Sequence, residues 1–431
     1  MEPCVKSYSI IAATAYGNRG AEAMLETVVG RLMSEDPRLQ FHVFSYYPDD
    51  DRRLISAPHV QLHSSTPLAL VAWLLPWSMV FGVLRLLFGR SVFAFAPASI
   101  RALGRSTALV DLAGVAFIDG REKFLPFNIL TLLPAWLLGT PVVKMPQAVG
   151  PFERPVNRLA ARLFLPRCRM VWARGGRTRE HLEQAGFPRL RFRQGDDIAF
   201  NYRVEYALTR EGEAPLKDAF EQLAVVRRHD GVRGVIGVCP SSVVAVQARK
   251  RGESYESVLV DVVADLSRSG FLVVLFPNAT RALDGEAERN NDLPLIRRVL
   301  AGCDALQLPL APVAFAFDVN AAGIKRIIGE LDVALVSRFH AMVGALSLGV
   351  PSAVLGWSHK YAEVMARFGQ ETRVMDYKQL SATELRERVV DVFEHRELIR
   401  QQILAALPEV QANADLPVAS LLSDDLGASL A

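Results

Sequence analysis

Short apolar runs that alternate with helix-period segments along the whole chain constrain the fold more than any other feature. In the first half the runs are YSIIAA (8–13), FHVFSYY (41–47), ALVDLAG (108–114), PVVKMP (141–146), MVWAR (170–174) and LRFRQ (190–194). In the second half they are RGVIGVCP (233–240), FLVVLFP (271–277), ALQLP (305–309), DVALV (332–336), SAVLG (352–356) and TRVMDY (372–377). Strands that are apolar on both faces and separated by helices belong to parallel sheets covered on both sides. Two such sets in 431 residues exceed one ordinary core and predict an α/β chain of two Rossmann-like, doubly wound domains. The expected division is an N-terminal domain over 1–205, a C-terminal domain over 206–405 and a weakly patterned tail over 406–431 that packs back across the first domain. The polar stretch 206–220 is the expected join.

Composition excludes several classes. The formal charge is only +3 and basic residues are dispersed, which argues against nucleic acid as a partner. Four cysteines, Cys4, Cys168, Cys239 and Cys303, lie far apart without a CxxC pair, so neither a metal site nor a disulfide framework is expected. That usage fits a reducing cytoplasm, and the N-terminus runs into its first strand without an apolar leader. One segment qualifies a plain cytoplasmic reading. PLALVAWLLPWSMVFGVLRLLFGR (67–90) carries no charge from Leu68 to Leu84 and is interrupted by Pro76. An apolar helical insert of this kind suits a buried core helix, a helix on the inner membrane surface with Trp73 and Trp77 at the interface, or, less naturally, a span.

Ligands of open parallel sheets sit beyond the carboxyl ends of strands, so polar residues just after strands are the candidates. After DVALV the chain reads SRFHAMVGALSLGVP, with Ser337 as the expected cap and a helix from Arg338 whose face is Phe339, Met342, Val343 and Leu346. Arg338 and His340 then occupy a first turn, where free amides and the helix dipole favour an anion. A bound anion would keep His340 protonated and suit it as a proton donor. The alternative is that Arg338 pairs with a structural carboxylate and His340 is a satisfied buried histidine. His359 and Lys360 follow the next strand, Lys360 being either a phosphate contact or a solvated lysine. The first strand leads into TAYGNRGAEAMLETVVGRL, in which Gly17 and Gly20 bracket Asn18 and Arg19 and allow close backbone approach. Glu22 in the following turn is either a base for an incoming hydroxyl or a partner for the helix dipole. VKMPQAVGPF (143–152) contributes Gln147, and VWARGGRTREHLEQAGF (171–187) places Arg174 at a strand end with Arg177 beyond a glycine pair.

GNRGAEAML (17–25), MPQAVGPF (145–152), VWARGGRTREHLEQAGF, RNND (289–292) and above all VSRFHAMVGALSLGVPSAVLGWSHKYAEVMARFG (336–369) together resemble the polysaccharide pyruvyl transferase family. The resemblance implies two Rossmann-like domains arranged as in GT-B glycosyltransferases. It also implies transfer of the enolpyruvyl unit of phosphoenolpyruvate onto two sugar hydroxyls, giving a pyruvate ketal and phosphate. Arg338 and His340 match the family's Arg-hydrophobic-His motif, implying a donor contact and a general acid, and Arg174 matches its first-domain arginine. Asn18, Gly17, Gln147, Lys360 and Arg177 are the further expected substrate contacts, and Glu22 the expected acceptor base. Phosphoenolpyruvate is the donor substrate, the acceptor is a sugar or lipid-linked glycan, and no cofactor or metal is expected. The sequence departs from the family pattern at LAGVAFIDG (112–120), where more glycine is usual, and at Ala21-Glu22, where an acidic pair is common. Two other functions compete: a GT-B-type glycosyltransferase using a nucleotide sugar, and a non-catalytic member acting in envelope assembly.

Overall fold

The computed structural model describes residues 6–210, 213–281 and 290–423. Cys4 and Arg289 lie outside them. The chain forms two compact units, and the division is not contiguous. The first unit holds the chain up to Ala15, Met24–Thr209 and the chain from Gln411 onward; the second holds Tyr16–Ala23 and Arg210–Val410. The expected N-terminal block is thus interrupted, because residues 16–23 make their contacts with the second unit.

In the first unit, seven parallel strands run in the order β3-β2-β1-β4-β5-β6-β7. They are β1 (Ser7–Ile11), β2 (Gln40–Ser45), β3 (Val60–Ser64), β4 (Leu109–Asp111), β5 (Val142–Gln147), β6 (Met170–Arg174) and β7 (Phe192–Gly195). In the second unit, six parallel strands run in the order β10-β9-β8-β11-β12-β13. These are β8 (Gly234–Cys239), β9 (Phe271–Leu275), β10 (Val313–Ala314), β11 (Val333–Val336), β12 (Ser352–Gly356) and β13 (Val374–Asp376). Each sheet starts at a central strand, winds one way for two strands and then reverses. Strand order therefore switches between β1 and β4 in one unit and between β8 and β11 in the other, where doubly wound folds hold ligands. The expected doubly wound α/β class is what the structure has.

Three elements differ from expectation. ALQLP is not a strand: the helix Leu293–Asp304 runs up to it and Gln307 adopts a left-handed φ of 46°, so the strand forms later, at Val313–Ala314. β3 went unrecognised because VQLHS is an edge strand with only two aliphatic residues. The tail is the end of one long helix, Arg396–Leu422, which buries Val410, Ala414, Val418 and Leu421 along one face. Its final part is tied to the first unit: Tyr8 Oη donates to the carbonyl of Leu421 at 2.7 Å, and Asn201 Nδ2 to that of Gln411 at 2.9 Å.

The 67–90 insert is a helical rod, Pro67–Phe88, with one π turn at Leu70–Leu74. Among the described residues it is the one helix long and apolar enough to cross a membrane. One face, with Leu70, Leu74 and Phe81, packs into the unit's main core, so the core-helix expectation accounts for that face only. The opposite face stays exposed.

Candidate functional site

The switch point of the second unit is built around one carboxylate. Asp292 is fully buried and accepts from the backbone amides of Ser242 (3.0 Å), Asn278 (3.2 Å) and Ala279 (2.9 Å), tying the turns that follow β8 and β9. The same carboxylate receives Arg338 Nε at 3.0 and 3.1 Å and Arg338 Nη2. Ser242 Oγ (2.9 Å) and Asn290 Oδ1 (3.2 Å) complete the guanidinium's surroundings. Burial works against this charge, but Asp292 outweighs it and raises the Arg338 pKa above its ordinary value. Arg338 is therefore a fixed cation at a strand end, and the expectation that it pairs with a structural carboxylate is met.

Arg338, not Ser337, is the N-cap, with extended φ and ψ of −108° and 131°, and the helix runs Phe339–Ser347. Ser337 instead shares a 2.7 Å hydrogen bond with Tyr255, whose hydroxyl burial pushes to a high pKa. His340 thus stands in the first helical turn, where amides and dipole favour negative charge. Its imidazole lies against Gly20: a β-carbon there would overlap the ring at Nδ1. That is the physical reason the motif at 17–25 needs glycine at its fourth position.

The same motif is locked to the second unit by charge. Arg19, 3% exposed, donates through Nη1 to Glu22 (2.8 Å), through Nε and Nη2 to Thr280 (3.1 and 2.7 Å), and pairs with Asp318. Glu22, fully buried, also accepts the Ala321 amide at 3.1 Å, at the start of the helix Ala321–Gly329. This placement differs from an acceptor base: Glu22 neutralises Arg19 and, as expected, lies in the first turn of its own helix, Arg19–Glu35, while also accepting from the start of a second one. Asn18 caps its helix, its Oδ1 accepting from Gly20 (3.2 Å) and Ala21 (3.4 Å). Gly17, at φ 76°, borders Arg281, a cation the sequence reading missed. Lys360 sits over the rings of Phe339 (4.5 Å) and Trp357 (4.8 Å), which hold it beside the His340 helix.

The switch point of the first unit holds a cavity of about 400 Å³, within the size range of small-molecule sites. Its walls come from the turns after β1, β2 and β4, with Tyr46, Tyr47, Phe117, Phe124 and Phe127 as aromatic lining. At its base lies a buried ion pair, Lys144 with Asp111, and Asp111 also accepts the Ala113 amide at 2.9 Å. Asp51 fixes the neighbouring turns by accepting from Thr14 Oγ1, the Ala15 amide (both 2.9 Å) and Ser45. The sequence reading passed over both Lys144 and Asp111. A lysine inside the apolar run PVVKMP was a signal, since a buried lysine requires a partner.

Arg174 is buried behind this cavity, bonded to Asp197 (2.9 Å) and to the carbonyl of Gly114 (3.0 Å), a lining residue. Its place differs from an open donor contact: it holds the wall. Gln147 is fully buried at the end of β5 and Arg177 is exposed at the start of the helix Gly176–Ala185. Neither is among the residues that line this cavity. Among the described residues no group of three or more His, Cys, Asp or Glu could hold a metal ion.

The chain resembles HepE from Anabaena, solved with UDP and glucose (TM-score 0.51, 13% identity, 98% of this chain and 100% of that one). It resembles the UDP-forming trehalose-phosphate synthase of Burkholderia xenovorans (0.56, 13%, 99% and 99%). The UDP-GlcNAc 2-epimerase of Neisseria meningitidis is similar to the same degree (0.56, 12%, 97% and 99%). At such identities the likeness shows the fold class alone, that of two-domain GT-B transferases and epimerases. No curated protein sequence matches the chain. The sequence profile of the polysaccharide pyruvyl transferase family covers residues 18–359, from the glycine motif beside His340 to the end of β12 and its turn, and the chain belongs to that family.

Proposed function

We propose that the protein transfers the enolpyruvyl unit of phosphoenolpyruvate onto two hydroxyls of a glycan sugar, forming a pyruvate ketal and releasing phosphate. The observation that carries this reading is His340 in the first turn of a helix at the second unit's switch point, held against Gly20 and adjacent to the fixed Arg338. Phosphoenolpyruvate is small and doubly anionic, and a helix N-terminus flanked by arginine and lysine suits its carboxylate and phosphate.

His340 donates a proton to the methylene carbon, and positive charge develops at C2. A sugar hydroxyl attacks C2 and loses its proton, the C2–O bond to phosphate breaks, and a second hydroxyl closes the ketal. One hydroxyl proton replaces that given by His340 and the other leaves with phosphate, so the step balances without a cofactor. The aromatic cavity of the first unit suits the sugar, whose apolar face stacks on rings while Asp111 and Lys144 serve its hydroxyls. Glu22, buried against Arg19, holds the glycine motif in place and is not assigned the base role. Arg174 acts by positioning Gly114.

The test is phosphate release from phosphoenolpyruvate in the presence of candidate glycans, with UDP-sugars as the control donor. His340→Gln should retain phosphoenolpyruvate binding and lose at least about a hundredfold in turnover, the usual scale of a general acid. Unchanged turnover removes His340 from the chemistry, and turnover with UDP-sugars but not phosphoenolpyruvate replaces the reading with glycosyl transfer.

A further inference from the structure

The rod Pro67–Phe88 has two apolar faces but only one is used. Opposite its core-facing side, Leu68, Val71, Met79, Val83, Leu86 and Leu87 are exposed, Leu86 to 77%. The turn after the rod adds Phe95 at 88%, and the tilted rings of Trp73 and Trp77 lie 5.8 Å apart along the rod. The surface continues beyond the rod. The helix Leu133–Leu138 packs on it, and Trp136 of that helix stacks on Phe164 of the helix Pro155–Phe164 at 5.9 Å. That third helix exposes Val156, Leu159 and Leu163 in one stripe. Isolated exposed hydrophobics are ordinary, but a contiguous patch across three helices marks an interaction face.

Charge identifies the occupant. Residues 67–105, 125–140 and 155–169, which build this layer, contain no aspartate or glutamate and eight arginines, in a chain whose acidic and basic residues otherwise nearly balance. Arg158 and Arg162 alternate with the exposed stripe, and Arg90 stands at the end of the rod. Among the described residues none of these three pairs with a carboxylate. An apolar face whose own helices carry arginine and no carboxylate matches acyl chains bordered by anionic headgroups, with tryptophan at the boundary. A membrane span is a poorer fit, since it would strip Leu70, Leu74 and Phe81 from the core.

We infer that this face of the first unit docks on an anionic lipid bilayer surface, with the rod lying in the plane of the interface. The sugar cavity opens close by: Ser65, one of its lining residues, precedes the rod by two positions.

The experiment is co-sedimentation of the full chain with vesicles of phosphatidylcholine alone and with phosphatidylcholine containing about a third phosphatidylglycerol. Binding is expected to the anionic vesicles, to weaken with added salt, and to fall roughly tenfold or more in Arg158→Glu with Arg162→Glu. Val83→Glu with Leu87→Glu, at exposed positions that leave the core untouched, should abolish it while the circular dichroism melt is unchanged. Absence of vesicle binding, or binding that both double variants retain, overturns the proposal. A concentration-dependent dimer that Val83→Glu with Leu87→Glu dissolves, without vesicle binding, overturns it in favour of a second copy of the chain.

Discussion

Asp292 does at one residue what the turns around it cannot do alone. It gathers three backbone amides and a guanidinium, so removing its charge leaves Arg338 buried beside unsatisfied donors. Asp292→Asn keeps the shape but presents an amide where the site needs an acceptor. Breaking a buried pair in this way should cost about 3–5 kcal/mol, read as a lowered urea midpoint. A loss below about 1 kcal/mol would mean that Arg338 is held by Ser242 and Asn290 instead. The sequence showed Arg338 and His340 plainly, because a cation at an expected helix start is out of place without an anion. It did not show Asp292 as their anchor, although RNND was singled out, since 46 residues separate Asp292 from Arg338 and nothing local marks the pairing. The partner of Glu22 was hidden for the same reason. Its first-turn position was legible, while its partner Ala321 lies 299 residues away in sequence.

At the scale of elements, the edge of the first sheet contains a pH-sensitive pair. His42 on β2 and His63 on β3 approach at 3.4 Å, and His63 stacks on Phe44 at 5.0 Å. Burial, and for His63 also the charge of His42, lowers both pKa values, that of His63 to about 4. The folded state then holds these rings neutral while the unfolded chain protonates them near 6.5. Their stabilisation is complete above that value and is lost progressively as pH falls toward 4. Urea midpoints should decline between pH 7 and pH 5, and His63→Phe should flatten that decline; an equally steep slope in the variant would assign it to other groups. β3 itself was not legible, because an edge strand buries too little to leave an apolar run. Central strands such as β8 and β11, buried on both faces, were read within a residue or two. The tail's packing across the first unit, made at Leu421 and Gln411, was expected, but its continuous helix was not, because the segment is weakly patterned.

For the whole molecule, the proposed function puts donor and acceptor against different units, and this makes the two ligands separable by experiment. Each sheet reverses its order beside its first strand, but the residues brought there differ: Ser242, Arg338 and His340 in one unit, aromatic walls over Lys144 and Asp111 in the other. An anion has fixed charge and helix amides to bind in the second unit, and a sugar has rings and a paired carboxylate in the first. Phosphoenolpyruvate at a hundredfold excess over its Kd should stabilise the state it binds by about 2.7 kcal/mol. Amide exchange reads this residue by residue. Protection should rise at 241–242, 278–281 and 337–342, the turns Asp292 ties together and the helix start they support. An oligosaccharide acceptor should instead protect 12–15, 45–47 and 111–117. Protection by phosphoenolpyruvate confined to the cavity turns would reverse the assignment, because the donor would then be held by Lys144 rather than by the Arg338 helix.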